Sequence, residues 1–305
     1  MKSIIEVKNL VKKYGKFTAV DGVSFDVYEG ETFGILGPNG AGKTTTLEII
    51  EGLRKPTSGT AIIDGVDVAK DPGEVKARIG VQLQSSSFFD NLNLRELLDT
   101  FGSLYNRKVD PDKLIAQVQL KEKENNLVKE LSGGQKQRFS IASALVNDPR
   151  VVFLDEPTTG LDPQARHNLW ELVRQVKAEG KTIVLTTHYM EEAEVLCDRI
   201  AVMDHGKIVA LDTTENLLKS VGNTTRISFE AGNSEKLPDL KQVQNVQTVE
   251  TIRGRVVLVT DDVEKTLPSL FKLEHESNFG IHNLQVQQPT LEDVFLKLTG
   301  HSLRD

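Results

Sequence analysis

Apolar and polar residues alternate at the start of the chain. Ile4-Ile5-Glu6-Val7 and Val23-Ser24-Phe25-Asp26-Val27 have the two-residue period of half-buried strands, with Glu29-Gly30 as a turn. A short apolar run, Glu31-Thr32-Phe33-Gly34-Ile35-Leu36, ends at glycines, and residues 45–53 then take up helical spacing with Gly52 near the end. Residues 59–63 and 66–68 are predicted to form a hairpin, because Asp64-Gly65 is a strong two-residue turn. An antiparallel β-layer is therefore expected around the loop at 37–45. Between about residues 92 and 145 the spacing becomes helical without sustained heptads, which predicts a compact helical insert. The runs at 151–154 and 182–186 are continuously apolar, as in central parallel strands covered on both faces, and a helix beginning near Pro163 separates them. Residues 200–203 and 207–210 flank Asp204-His205-Gly206 as a small hairpin.

Near Val221-Gly222-Asn223 the pattern restarts. Strands are predicted near 225–230, 243–250, 255–260 and 281–287, with a helix over about 262–274. A last helix begins at a capping box, Thr290 with Asp293, and Gly300 suits its C-cap. The expected domains are thus 1–222, with a helical subdomain at about 85–146, and a small α+β domain at 223–305. The second carries no metal-ligand spacing, nucleophile motif or basic cluster. No internal repeat is present, so one nucleotide unit is expected.

Composition narrows the picture. Of 305 residues, 27% are charged and 38% hydrophobic, an ordinary globular balance, and the formal net charge of −7 argues against a general nucleic-acid binder. The single cysteine, Cys197, excludes an intrachain disulfide and suits a reducing compartment. No apolar run approaches the ~18–20 residues that span a bilayer, and Glu6 and Lys8 interrupt any signal-like segment. A cytoplasmic location is expected, with any membrane crossing left to another chain.

The chemistry centres on Gly37-Pro38-Asn39-Gly40-Ala41-Gly42-Lys43-Thr44-Thr45, which fits G-x-x-x-x-G-K-[ST] between a predicted strand and helix. Glycines let the backbone curl so that successive N–H groups and a helix N-terminus face phosphate oxygens. Lys43 would add a positive charge against the β- and γ-phosphates, and the Thr44 hydroxyl would be a ligand for Mg²⁺. Leu131-Ser132-Gly133-Gly134-Gln135 resembles the signature motif of ATP-binding cassette (ABC) proteins at every position. Ser132 and the glycines can present a hydroxyl and N–H groups at a helix N-terminus, a second phosphate site. One γ-phosphate needs only one such site, so two half-sites suggest ATP sandwiched between two copies. Asp155 and Glu156 end the strand at 151–154. A buried carboxylate is costly unless compensated, so Asp155 would hold Mg²⁺ while Glu156 orients and deprotonates the attacking water.

The resemblance continues through Pro157-Thr158-Thr159-Gly160-Leu161-Asp162-Pro163, and it implies a role for Asp162 across a dimer interface. It also implies that Gln84 is the Q-loop glutamine, reaching Mg²⁺ and the attacking water; Gln82 is the alternative, and register favours Gln84. His188 resembles the switch histidine that contacts the γ-phosphate, and Tyr14 resembles the aromatic that stacks on adenine, with core packing as the alternative. His167, His205, His275, His282 and His301 show no ligand pattern and are expected to be structural. The resemblance over about 1–220 implies a P-loop ABC ATPase fold: a RecA-like α/β core with an antiparallel β-subdomain and a helical subdomain. Residues 288–300 resemble the end of ATPase subunits of bacterial multidrug and antibiotic exporters of the daunorubicin-resistance type. The expected function is the ATPase subunit of such an exporter, peripheral on the inner membrane face. Two copies would close on two ATP and two Mg²⁺ and dock on integral-membrane permease subunits. The C-terminal domain would dimerise or regulate. The alternatives are a soluble ABC protein acting on ribosomes or DNA, a regulatory subunit that binds ATP without turnover, and the ATPase of an importer.

Overall fold

The computed structural model describes residues 2–83, 88–220, 222, 225–233, 237–252 and 254–301. The chain divides into two compact units, Met1–Thr214 and Glu215–Leu303. This division falls ahead of the position expected at 222. In chain order the first unit comprises β1 (Ser3–Tyr14), β2 (Phe17–Tyr28), β3 (Thr32–Leu36), α1 (Lys43–Ile50), β4 (Ser58–Ile63), β5 (Val66–Asp67), α2 (Pro72–Arg78) and β6 (Ile79–Gln82). It continues with α3 (Leu94–Leu104), α4 (Pro111–Gln117), α5 (Gly133–Ala144), β7 (Val151–Asp155), α6 (Pro163–Ala178), β8 (Thr182–Thr187), α7 (Met190–Leu196), β9 (Arg199–Asp204) and β10 (Lys207–Thr213).

Two sheets share one core. The antiparallel sheet has the order β2-β1-β4-β5, and the larger sheet the order β10-β9-β3-β8-β7-β6. In the latter β9, β3, β8, β7 and β6 run parallel, and β10 pairs antiparallel at the edge. Every residue of β3, β7 and β8 is buried, and their middles are apolar, with Thr32, Asp155, Thr182, Thr186 and Thr187 at the ends. Phe25 of one sheet stacks on Phe33 of the other, with centroids 5.0 Å apart. Register then sets the site. Leu36 pairs with Thr187, and Asp155 with Thr186, so β3, β8 and β7 end together. The loops that follow them open at the carboxyl edge of a parallel sheet, where such sheets bind ligands.

The helical insert is punctuated by caps. Asn93 and Glu96 form a capping box for α3, Asp110 accepts the Lys113 N–H of α4, and Ser132 with Gln135 caps α5. Helix α5 packs on β6 so closely that a Cβ at Gly80 would meet the Ala144 carbonyl oxygen.

The division falls at the start of α8 (Thr214–Ser220). Beyond it lie β11 (Thr225–Ala231), β12 (Val246–Ile252), β13 (Arg255–Thr260), α9 (Val263–Ser277), β14 (Ile281–Gln287) and α10 (Leu291–Thr299). The strands form an antiparallel sheet of order β12-β13-β11-β14. Its core includes Ile227, Phe229, Leu258, Leu270 and Phe279, so this unit has its own apolar centre. At the start of α10, Asp293 accepts the Thr290 N–H at 3.0 Å, and Gly300 closes the helix at φ 79°.

Candidate active site

The turn after β3 needs its glycines. A Cβ on Gly37 would run into the Met203 carbonyl oxygen, and Gly42, at φ 101°, faces the Ala19 carbonyl oxygen. Pro38 O accepts the Ala41 N–H at 3.2 Å, so the loop from Gly37 through Pro38, Asn39, Gly40 and Ala41 curls onto the first turn of α1. Lys43 begins that helix and is only 4% exposed. Its ammonium donates to Gly37 O at 2.8 Å and Pro38 O at 3.1 Å, and it lies 3.2 Å from Glu156 Oε1. Burial pulls the Lys43 pKa below the usual lysine range, and Glu156 partly offsets this. Asn39, Gly40, Lys43, Thr44, Thr45 and Glu156 line an open cleft of about 330 Å³. Tyr14 lies at the same cleft and is 41% exposed, so core packing does not describe it. Lys12 and Arg54 stand over that ring, 5.2 and 5.6 Å from its centroid.

Two acids close the floor. Asp155 is buried at the end of β7, where its Oδ1 accepts from Thr44 Oγ1 at 3.2 Å and from Thr186 Oγ1. Burial pushes its pKa up, against the pull of the two hydroxyls. Glu156 adopts φ 47°, a conformation that costs a non-glycine residue about 1–3 kcal/mol. Its N–H donates to Thr186 Oγ1 at 3.0 Å, which ties this turn to β8. Burial alone would raise the Glu156 pKa, but Lys43 and His188 outweigh it and hold the carboxyl below its ordinary value. Thr159 Oγ1 donates to Glu156 Oε2 at 3.1 Å. His188 Nδ1 lies 3.3 Å from the same oxygen, within ion-pair range but off the line of a hydrogen bond.

Lys43, Thr44, Asp155, Glu156 and His188 thus meet at one place. Thr44 and Asp155 offer a hydroxyl and a buried carboxylate, the all-oxygen chemistry of a hard divalent cation such as Mg²⁺, and the donor set fits it. Gln84 lies outside the described residues. Gln82 is buried in β6 with its amide donating to Leu83 O at 2.6 Å.

The Ser132 segment lies at a separate cleft. Ser132 Oγ accepts the Gln135 N–H at 3.4 Å, and Gln135 Oε1 accepts the Ser132 N–H at 2.9 Å. Gly133 and Gly134 form the first turn of α5, and a Cβ on Gly134 would stand 3.0 Å from Ala165. Asp162 Oδ1 accepts the Ala165 N–H at 2.9 Å and starts α6. Ser132, Gly134, Gln135, Arg138, Asp162 and Asn168 line this cleft of about 230 Å³, and no residue lines both. Sequence reasoning missed Thr186 and Arg138. Thr186 is two positions before His188, yet its bond to Asp155 depends on the β7–β8 register, which the linear pattern does not specify.

A glycine loop opening a helix at the carboxyl edge of a parallel sheet, with a lysine, a threonine and two acids, defines a P-loop nucleoside triphosphatase. The chain belongs to the ABC transporter ATP-binding family, whose members hydrolyse ATP to drive transport. Residues 20–159 match the family described as ABC transporter, and residues 213–299 match the ATP-binding protein DrrA1-3-like, C-terminal domain. The chain is 36% identical over 311 residues to the linearmycin resistance ATP-binding protein LnrL of Bacillus subtilis, spanning 99% of this chain and 100% of that protein. It is 38% identical over 322 residues to the Nod factor export ATP-binding protein I of Ralstonia nicotianae, with 99% and 95% covered. Among solved structures, an ATP-binding cassette of an ABC transporter in its ADP conformation shares 29% identity at a TM-score of 0.65, covering 72% of this chain and 95% of that one. A bacterial ABC transporter cassette described as dimeric shares 28% identity at a TM-score of 0.63, covering 68% and 98%. No helix among the described residues is long and apolar enough to cross a membrane.

Proposed function

We propose that this chain is the ATP-hydrolysing subunit of an exporter, working at the inner face of a membrane on separately encoded permease subunits. In this reading two copies enclose two Mg-ATP, each held between the Gly37–Thr45 loop of one copy and Ser132–Gln135 of the other. The observation that carries it is the separation of the two clefts: each offers phosphate-binding chemistry, and no residue is common to both. The names of relatives that confer linearmycin resistance or export Nod factor support export, and the dimeric neighbour supports pairing.

The residues then take these roles. The loop N–H groups and Lys43 hold the phosphates, and Tyr14 offers its exposed ring to adenine. Thr44 and Asp155, with Gln84, would hold Mg²⁺, which when bound offsets charge on the phosphate oxygens. Glu156 accepts a proton from water as the water oxygen bonds to the γ-phosphorus; the bond from that phosphorus to the bridging oxygen breaks, and ADP leaves with the electron pair. His188 steadies the carboxylate from the opposite side of Lys43 and reaches the γ-phosphate, while Asp162 acts at the interface between copies.

Sedimentation tests the sandwich. Glu156→Gln saturated with Mg-ATP should sediment as a dimer, and adding Ser132→Arg should return it to a monomer that still binds ATP. A strictly monomeric Glu156→Gln chain under saturation overturns the sandwich.

A further inference from the structure

A buried junction lies behind His188, and the roles above do not use it. Glu192, on α7, is fully buried. Its Oε1 accepts the Trp170 indole N–H at 3.2 Å, whereas its Oε2 has no hydrogen-bond partner. Thr158 Oγ1 and Arg166 Nε are also buried without partners. The hydroxyls of Thr187 and Thr158, the Trp170 indole and the Arg166 guanidinium all face this carboxyl and oppose the upward push of burial on its pKa. Three chain segments converge here. Thr158 follows Glu156, Thr187 precedes His188, and Arg166 and Trp170 belong to α6, whose capping residue Asp162 lines the Ser132 cleft. The Arg166 guanidinium also lies 4.5 Å from the Tyr189 ring centroid, and that ring lies 4.1 Å from the ring of His188. Thr187 Oγ1 accepts the Tyr189 N–H at 2.9 Å.

A buried carboxyl with an unbonded oxygen is costly, and an apolar side chain would fill the space more favourably. Its contacts point instead to a mechanical role. We propose that Glu192 is a positioning residue, which fixes the His188–Tyr189 turn against α6 so that engagement of the Ser132–Asp162 cleft by a second copy is passed to His188. This rests on the reading that His188 serves hydrolysis and that two copies close on ATP.

The full chain tests it by phosphate release. Glu192→Ala should lower kcat about ten- to a hundredfold, as small misplacements in active sites do, with KM nearly unchanged. Glu192→Gln should recover most of this, because its amide can accept from Trp170 and donate to Thr158 or Thr187. In a His188→Ala background, Glu192→Ala should cost little more, since the two losses share one route. Trp170→Phe removes only the indole N–H and stands in if Glu192→Ala fails to fold; its kcat should fall about two- to tenfold, one hydrogen bond's worth, and not in the His188→Ala background.

Trp170 is the sole tryptophan, so its fluorescence reports on the junction. Mg-ATP should shift that emission in Glu156→Gln and leave it unshifted once Ser132→Arg is added. Equal shifts in both chains would overturn the transmission. Multiplying losses of Glu192→Ala and His188→Ala, or an unchanged kcat in a folded Glu192→Ala, would overturn the positioning role while leaving the proposed function standing. Unchanged turnover in His188→Ala would overturn the positioning role together with the part of His188 in hydrolysis.

Discussion

The contact between Lys43 and Glu156 makes Glu156→Gln informative in two opposite directions. In the free chain the ammonium that should grip phosphate is held by the carboxylate at 3.2 Å and by the carbonyls of Gly37 and Pro38. In the proposed roles, ATP draws Lys43 away from Glu156. A hydrogen bond to a charged group contributes about 1.5–3 kcal/mol, and at 1.36 kcal/mol per decade its loss corresponds to roughly ten- to a hundredfold in affinity. Glutamine is isosteric but uncharged, so Glu156→Gln should bind ATP more tightly by up to that factor. The same substitution removes the proton acceptor, and general-base catalysis supplies about 10²–10⁴-fold. Turnover should therefore fall by that much while affinity rises. The assay pairs equilibrium binding of labelled ATP with phosphate release, both in Mg²⁺. Weaker binding would refute the competition of Glu156 with phosphate for Lys43. Turnover within about threefold of the parent, well short of a lost general base, would refute the proton-acceptor role.

Two further predictions concern stability and the loop. Glu51 is buried at the end of α1, where burial, then the charges of Asp155 and Glu48, push its pKa up to about 8. The folded chain therefore binds this proton more tightly than the unfolded chain, so the full stability is present below pH 4.5 and is lost as pH rises toward 8. Glu51→Gln should stabilise the fold more at pH 8 than at pH 5, by on the order of a few kcal/mol, read from denaturant unfolding at the two pH values; an equal effect at both would contradict the buried acid. Gly42→Ala places a side chain at φ 101° against the Ala19 carbonyl oxygen. It should cost about 1–3 kcal/mol in a thermal melt and weaken ATP binding, and an unaltered melt with parental affinity would show that the turn tolerates a Cβ.

How far the site was legible follows from what fixes each part. The residues from Gly37 to Thr44 are constrained by a loop that must curl around phosphate, so residue type and spacing carry the information. Strands β3, β7 and β8 were legible because strands covered on both faces are apolar through their middles, with the buried polar residues Thr32, Asp155, Thr182, Thr186 and Thr187 confined to their ends. Their order was not, since pairing β3 with β8 joins segments that the helical insert and α6 separate in sequence. The β1–β2 ribbon extends further than the alternation suggested. Lys12 and Lys13 interrupt the apolar pattern, yet pairing continues to Tyr14 and Phe17, with Lys13, Tyr14 and Phe17 exposed at the end of the hairpin. Helix α2 had its signals, Asp71 as cap and Pro72 in the first turn, but no amphipathic face long enough to read. The Lys43–Glu156 contact was illegible for another reason: it depends on the positive φ of Glu156, which nothing in Asp-Glu-Pro announces.

The two clefts differ in what a second copy would have to undo. On the loop side, Lys43 and Glu156 lie 3.2 Å apart, and in the proposed roles phosphate displaces this charged contact before the carboxylate takes a proton. On the signature side, Ser132 Oγ accepts the Gln135 N–H at 3.4 Å and Gln135 Oε1 accepts the Ser132 N–H at 2.9 Å, a closed capping box that holds the start of α5. Asp162 is committed through one oxygen, Oδ1, which accepts the Ala165 N–H at 2.9 Å and holds the start of α6 in place. In the proposed sandwich the signature side is therefore preorganised and the loop side is gated. ATP must first settle on Lys43 within one copy, and that exchange releases Glu156 for the reaction that the second copy completes.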